Sequence, residues 1–301
     1  MVLTEPLTYE KIYYSLWEIS KRYHSFVQFR VIGKSHDDRL IPMLEIGEGD
    51  SAIFCIAGLD GSDHRICTFL VRMAQEYSRA YECGWKLDET YDVRELLDGF
   101  RLCLIPAVNP DGLAICESGF SAIRNPIYRQ MLRMMDTDAG SFAYNARGMD
   151  LRHNFPTNYC SRDRIPQEPA SENETRALIR IFQEYQGGGL LSFSHLGKRI
   201  VYFRQPQAFA YNQRSYRLAR HLQKCSSYRL EKSVFEERGR RREEQSGTGS
   251  PEQYYAQLTR QPAFMIETPD LEKGSAEKRE ARLNQDYQEL HTLPLEYIQF
   301  L

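Results

Sequence analysis

The chain has no long apolar stretch, and its cysteines form no pairs along the sequence. No segment of the 301 residues approaches the roughly 18 apolar residues that a membrane-spanning helix needs. The first residues contain no basic segment followed by an apolar run, which argues against a secretory signal. The seven cysteines occur singly and no Cys-x-x-Cys motif is present, so we expect free thiols in a reducing compartment. These absences predict a cytoplasmic protein.

Neither sign of charge is in clear excess, because 39 Lys and Arg face 41 Asp and Glu for a net charge of −2. We therefore expect neither a nucleic acid nor an anionic membrane as a partner. The one dense run of charge, Glu236–Glu244, contains both signs and predicts a solvated loop. The Gly-x-Ser-x-Gly motif is also missing, which disfavours an esterase or deacylase with a serine nucleophile.

Short apolar runs alternate with segments of helical periodicity, and this alternation predicts a single α/β domain over residues 1–301. The predicted helices include the segment from Tyr9 to His24 and the charged tail from Ser275 to Leu290. The predicted strands are Ala52–Gly58, Arg101–Ala107, Leu190–Phe193, Ile200–Phe203 and Ala263–Ile266.

Local signals mark several element ends. Asn109–Gly112 is a run of turn residues after a predicted strand. Ser171 and Glu174 have the spacing of a capping box and predict a helix start. The three consecutive glycines at 187–189 predict the end of that helix.

Five blocks along the chain carry a family resemblance, and they occur in the family's order and spacing. Together they resemble the zinc carboxypeptidases, closest to the bacterial peptidases that cleave γ-glutamyl–diamino-acid bonds of cell-wall peptides. The blocks are residues 7–49, IPAVNPDGL (Ile105–Leu113), NARGMDLRHNFP (Asn145–Pro156), EPASENETRAL (Glu168–Leu178) and AFMIETPD (Ala263–Asp270).

The resemblance implies a fold and a chemistry. The implied fold is a mixed, mostly parallel twisted sheet of about eight strands flanked by helices. The implied cofactor is one zinc ion held by His-x-x-Glu and a second His, with a water in the open position. Zinc activates that water, a glutamate takes its proton, and arginines hold the substrate carboxylate and the developing oxyanion.

All three ligand positions differ in this chain. In AGLDGSDHR, Asp60 stands at the first His position and Asp63 at the Glu position, and in LSFSHLG, Ser194 stands at the second His position. Serine is not a usual zinc ligand, and the shorter aspartate would displace a metal by about 1 Å, beyond the usual tolerance in ligand distance. His64 and His195 are possible substitute ligands, although strand alternation turns His195 away unless the chain is bulged.

The groups around the implied metal have changed as well. Arg152 replaces the family's asparagine and His153 its arginine, while Asn154 is retained. The oxyanion arginine corresponds loosely to Ala143, so Arg124 or Arg129 would supply charge instead. Glu267 stands at the proton-shuttling position. We predict Glu267 as the catalytic group and Arg152, His153, Asn154 and Arg124 as substrate-binding residues.

Two functional hypotheses follow from the resemblance. The first is an inactive or weakened relative, in which zinc is absent or weakly bound and the cleft binds a peptide, a peptide carboxyl terminus or a partner. The second is an active peptidase or amidase on short cell-wall-type peptides, with a metal site rebuilt around Asp60, Asp63, His64 and His195.

Overall fold

The computed structural model describes residues 6–135, 137–157, 168–195, 197–203, 208–232, 248–269 and 276–301. The charged run Glu236–Glu244 and Cys160 lie outside these ranges. The α-helices are α1 Tyr9–Arg22, α2 His64–Cys83, α3 Val93–Leu96, α4 Pro110–Ser118, α5 Pro126–Arg133, α6 Asn173–Glu184, α7 Phe209–Lys224, α8 Pro251–Thr259, α9 Ala276–Leu290 and α10 Leu293–Phe300.

The strands form one large sheet and two short ribbons. They are β1 Val27–Lys34, β2 Leu40–Ile46, β3 Ser51–Ala57, β4 Lys86–Leu87, β5 Tyr91–Asp92, β6 Phe100–Ile105, β7 Phe155–Pro156, β8 Gln186–Ser194, β9 Arg199–Tyr202, β10 Arg229–Lys232, β11 Thr248–Gly249 and β12 Ala263–Glu267. Within the described ranges the large sheet has eight strands in the order β1-β2-β6-β3-β8-β12-β9-β10. Strand pairs β3/β6, β3/β8, β8/β12 and β9/β10 are parallel, so the predicted mixed, mostly parallel sheet is confirmed.

Both faces of the central strands are covered. In β3, Ile53, Cys55 and Ala57 pack into one core with α1 and α2, while Phe54 and Ile56 pack into a second core with α6 and α8. This alternation explains why β3 is a continuous apolar run, since a parallel strand buried on both faces has no polar side. The free cysteines Cys55, Cys67 and Cys103 are buried among these apolar residues.

Three local predictions were wrong, each for a physical reason. Asn109 does not sit in an isolated turn but caps α4, because its side-chain oxygen accepts from the Gly112 N–H at 2.9 Å. Helix α6 does begin here, after Glu172, but the predicted capping box is absent, because the Ser171 hydroxyl donates to Glu172 instead. The glycines at 187–189 belong to β8, where a Cβ on Gly189 would lie 1.9 Å from the Tyr297 hydroxyl oxygen.

Buried ion pairs hold the loops beside the carboxyl edge of the sheet. Arg39 donates to Asp37 at 2.7 Å and to Asp111 at 2.9 Å, and all three side chains are buried. Asp37 also accepts from the backbone N–H groups of Arg124 and Asn125. The retained aspartate of the Asn-Pro-Asp-Gly motif therefore has a structural role in this chain.

Candidate functional site

The carboxyl ends of three adjacent parallel strands meet at one edge of the sheet. Strand β3 lies beside β8, and β8 lies beside β12. Asp60 and Asp63 follow β3, Ser194 ends β8 and Glu267 ends β12. Strand β9 runs antiparallel to β12, so its first residue, Arg199, lies at the same edge opposite Glu267. The structure thus brings the predicted ligand positions and the predicted catalytic glutamate to one edge.

Asp60 is held by a serine on one oxygen and an arginine on the other. Its Oδ1 accepts from the Ser62 N–H at 2.9 Å and from the Ser62 hydroxyl at 2.7 Å. Its Oδ2 accepts from Arg152 Nη1 at 3.0 Å. Arg152 also donates to both oxygens of Asp150, at 3.0 and 3.2 Å. A guanidinium therefore supplies positive charge directly beside Asp60.

These contacts change the protonation equilibria of the pair. Burial opposes ionisation of Asp150, but hydrogen bonds from His153 and Arg152 and the Arg152 charge outweigh it and lower the pKa of Asp150 well below its usual range. Burial likewise opposes the charge of Arg152, yet Asp150 and Asp60 raise its pKa. The Arg152 guanidinium and the Asp150 carboxylate are therefore both charged at neutral pH.

Asp63 is buried and pairs with His195. Its Oδ1 contacts His195 Nδ1, and the opposite ring nitrogen, Nε2, lies 3.4 Å from the Ser62 hydroxyl. The Asp63 Oδ2 atom is buried without a hydrogen-bond partner in the part of the chain that the structure describes. Burial raises the pKa of Asp63, and the contact with His195 offsets part of that increase. Strand alternation does not govern His195, because β8 ends at Ser194 and the next residue turns toward Asp63.

The other two candidate ligands face different surroundings. The Ser194 hydroxyl is buried and has no hydrogen-bond partner within the described ranges, and the Ser194 carbonyl accepts from the Thr268 N–H at 2.8 Å. The His64 ring nitrogens lie 3.0 and 3.3 Å from the carbonyl oxygens of Leu113 and Leu7. The structure therefore joins His195 to Asp63 but directs the His64 ring to the backbone.

The side chains at the family's ligand positions do not fit a zinc ion. Among the residues that are described, two groups of His, Cys, Asp or Glu bring three ligand atoms within 4.8 Å of one another, and neither contains Asp60, Asp63 or His195. Asp60 already pairs with a cation, and a serine at the third position is not a usual zinc donor. The two groups are His36, Glu172 and Glu174, and His221, Cys225 and Glu296.

Glu267 lies at the site, but its charge is already paired. Its side chain is 3% exposed and its Oε2 accepts from Arg199 Nε. Arg199 is 32% exposed and also donates to Glu231 at 2.8 Å. The hydrogen bond to Glu267 is the main cause that raises the pKa of Arg199. The Glu267 carboxylate therefore already accepts a hydrogen bond from an internal cation.

The predicted substrate-binding residues divide into two kinds. Arg152 and His153 lie at the site with side chains 23% and 28% exposed, and both contact Asp150. Asn154 is fully buried, and its amide donates to the Ser171 hydroxyl and the Glu168 carbonyl and accepts from the Glu172 N–H. We therefore assign Asn154 a structural role. Arg124 has an exposed side chain and is held through its backbone by Asp37.

Sequence reasoning missed two members of this site. Ser62 carries no motif, since the Gly-x-Ser-x-Gly signature is absent, and only the fold brings it to a histidine 133 positions away. Arg199 lies in none of the five family blocks. It reaches Glu267 through the antiparallel pairing of β9 with β12. In both cases the signal is a long-range contact, which a local pattern does not contain.

Comparisons with known proteins agree with this fold. The family model described as zinc carboxypeptidase matches residues 12–282. Bovine thrombin-activatable fibrinolysis inhibitor, solved in complex with a tick carboxypeptidase inhibitor, superposes with a TM-score of 0.71 at 15% identity, covering 98% of this chain and 96% of that one. A Burkholderia cenocepacia metallo-carboxypeptidase gives a TM-score of 0.64 at 13% identity, covering 98% and 70%. The search of curated proteins found no match.

No described helix combines the length and the apolar composition needed to cross a bilayer. Carboxypeptidase A from Helicoverpa armigera gives a TM-score of 0.67 at 16% identity, covering 98% of this chain and 74% of that one. At such identities the superpositions establish the fold, and the site has to be interpreted from its own residues.

Proposed function

Because this chain belongs to the zinc carboxypeptidase family, we propose that it binds peptides, through the carboxyl terminus, in the family's cleft and does not hydrolyse them with a zinc-bound water. One observation carries this proposal: Arg152 pairs with Asp60, so an internal cation neutralises a carboxylate that a metal would otherwise use. The pairing of Asp63 with His195 and of Glu267 with Arg199 supports it further.

The proposed ligand follows from the exposed cations. Arg152 and His153 are partly exposed and lie beside the cleft edge of the sheet. A guanidinium suits a terminal carboxylate, and an imidazole N–H can donate a hydrogen bond to it. Free thiols at the described cysteines are consistent with the cytoplasmic location that we propose for this protein.

Calorimetric titration tests the binding proposal. We expect short peptides with a free carboxyl terminus to bind more tightly than the same peptides with an amidated terminus, and His153→Ala to reduce this difference. Equal affinity for both forms would rule out recognition of the terminus. His24→Ala, an exposed histidine at the end of the first helical segment, serves as the matched control.

A second candidate is an active peptidase or amidase on short cell-wall-type peptides, with a metal site rebuilt around Asp60, Asp63, His64 and His195. The direct contact of Asp63 with His195 favours it, whereas the backbone contacts of the His64 ring do not. It predicts metal-dependent turnover of peptides that end in a diamino acid, lost in Glu267→Gln. No turnover with several divalent metals would eliminate it.

A further inference from the structure

Three side chains at the cleft stand in the order of a nucleophile, a base and an orienting carboxylate. Ser62 Oγ lies 3.4 Å from His195 Nε2, and His195 Nδ1 contacts Asp63. We propose that Ser62 is a metal-independent nucleophile that accepts acyl groups, with His195 as its base and Asp63 as a positioning residue. The inference rests on the proposed function, because it requires that no zinc occupies the Asp60 and Asp63 positions.

The contacts of His195 are compatible with the tautomer that this role requires. The proposed role places the ring proton on Nδ1, toward the Asp63 carboxyl group, and leaves Nε2 to accept the serine proton. The Ser62 hydroxyl donates to Asp60 at 2.7 Å, and rotation about its Cβ–Oγ bond would turn the hydroxyl hydrogen toward Nε2 while Oγ stays in place. The distance of 3.4 Å is longer than a short hydrogen bond, as is common at catalytic sites without substrate.

A helix N-terminus and the guanidinium of Arg152, which pairs with Asp60 and Asp150, lie near Ser62. Ser62 directly precedes Asp63, the N-cap of the 20-residue helix α2, whose N-terminal end carries a partial positive charge. The Arg152 guanidinium binds the same Asp60 carboxylate that accepts from Ser62. Ser62 and His195 are both partly exposed, and the His195 side chain is 20% exposed. An acyl carbonyl that reaches Ser62 therefore meets a cation nearby.

The proposed reaction has two balanced steps. In the first, Ser62 Oγ bonds to the acyl carbon, its proton moves to His195 Nε2, and the bond to the leaving group breaks as that group takes the proton. In the second, water attacks the acyl-serine, His195 again carries the proton, and the Ser62 hydroxyl is restored as the carboxylic acid departs. The substrate class is an ester or activated amide at the carboxyl end of a peptide.

Labelling with a fluorophosphonate probe tests the nucleophile. Its phosphorus forms a bond to Ser62 Oγ, fluoride leaves, and the serine proton is released through His195. We expect one adduct per chain, located at Ser62 by peptide mass spectrometry and unaffected by a chelator. Ser62→Ala and His195→Ala are expected to lower labelling at least 100-fold, while Ser118→Ala, an exposed serine, leaves it unchanged.

Asp63→Asn tests whether Asp63 positions His195, as distinct from a role of Asp63 in folding. We expect it to slow the covalent step while the reversible affinity for the probe stays the same, because asparagine keeps the shape but not the charge that orients His195. Wild-type protein that remains unlabelled, or labelling that persists in Ser62→Ala, would overturn the proposal. Metal analysis of the same samples distinguishes failure of this inference from failure of the proposed function. Unlabelled protein without zinc refutes only the role of Ser62 as a nucleophile. Bound zinc refutes the proposed function as well.

Discussion

Arg152 connects two carboxylates that the family's sequence pattern does not place together. It binds Asp60, 92 positions earlier in the chain, and Asp150, two positions earlier. Both aspartates are buried, so loss of the guanidinium would leave negative charge without its partner. The charge balance of this cleft therefore depends on Arg152, a residue that differs from the family pattern as the ligand positions do.

Replacing Arg152 measures this dependence at the scale of one residue. We expect Arg152→Met to lower the free energy of unfolding by about 2–4 kcal/mol at neutral pH. The substitution leaves the buried carboxylates of Asp60 and Asp150 without the guanidinium that pairs with them, and a buried charge without a partner is destabilising. Urea denaturation gives the value. Arg220→Met, at an exposed arginine, is the control and should change stability by less than about 0.5 kcal/mol. Equal effects of the two substitutions would contradict the pairing.

The sequence identified which site residues are unusual but not how they pair. The motif blocks align Asp60, Asp63 and Ser194 with ligand positions because those blocks flank recognisable strands. The contacts of Asp63 with His195 and of Glu267 with Arg199 cross 132 and 68 positions. Pairing at such separations is set by sheet topology, so the residue types alone leave it open.

Strand β8 is the element whose local signal and structure differ most. Its three glycines resemble a helix stop, yet they run beside β3, with Gly187 facing α8 and Gly189 facing α10. A Cβ on Gly187 would lie 2.7 Å from the Tyr255 hydroxyl oxygen, and one on Gly189 would lie 1.9 Å from that of Tyr297. Close packing by tyrosines on the covering helices therefore overrides the usual preference of glycine for loops.

Substitution in β8 tests this packing at the scale of the element. We expect Gly189→Ala to destabilise the protein by about 1–3 kcal/mol or more, because the methyl group overlaps the Tyr297 ring, whose hydroxyl donates to the carbonyls of Gly188 and Pro262. Thermal unfolding followed by circular dichroism provides the measurement. Gly99→Ala is the control, since a Cβ there meets no atom within 4 Å. Equal melting temperatures for the two variants would argue against the close approach.

At the scale of the whole molecule, the α/β class and the mixed, mostly parallel sheet follow from pattern and resemblance. The alternation of apolar runs and helical periods predicted the sheet, and the five blocks predicted its family. Polar clusters inside the fold were not foreseen, because their members come from distant segments. Glu174 is fully buried near Glu172 and Asp111, with Asn145 as a distant donor at 3.4 Å.

This buried acid predicts a pH dependence of global stability. Burial, with the charge of Asp111, raises the pKa of Glu174 to about 8. Between its unfolded pKa of about 4.5 and 8 the native state holds a proton that the unfolded chain has lost, so the unfolding free energy falls as pH rises. We expect Glu174→Gln to stabilise the protein relative to wild type by a few kcal/mol at pH 8 and by little at pH 5.

Urea denaturation at the two pH values measures this difference. Glu48→Gln, at an exposed glutamate, should leave the pH profile unchanged. His36 contacts Glu172 at 3.1 Å in the same cluster, so the comparison uses the difference between Glu174→Gln and wild type at each pH. A difference that stays constant with pH would refute the raised pKa.

The central claim is that the family's cleft is kept without its zinc. The most direct measurement is the zinc content of protein purified without added metal, determined by inductively coupled plasma mass spectrometry and repeated after equilibration with zinc and gel filtration. The account predicts far less than one zinc per chain in both samples, with peptide binding unaffected by a chelator. One zinc per chain, lost in Asp60→Asn and Asp63→Asn together, would contradict it.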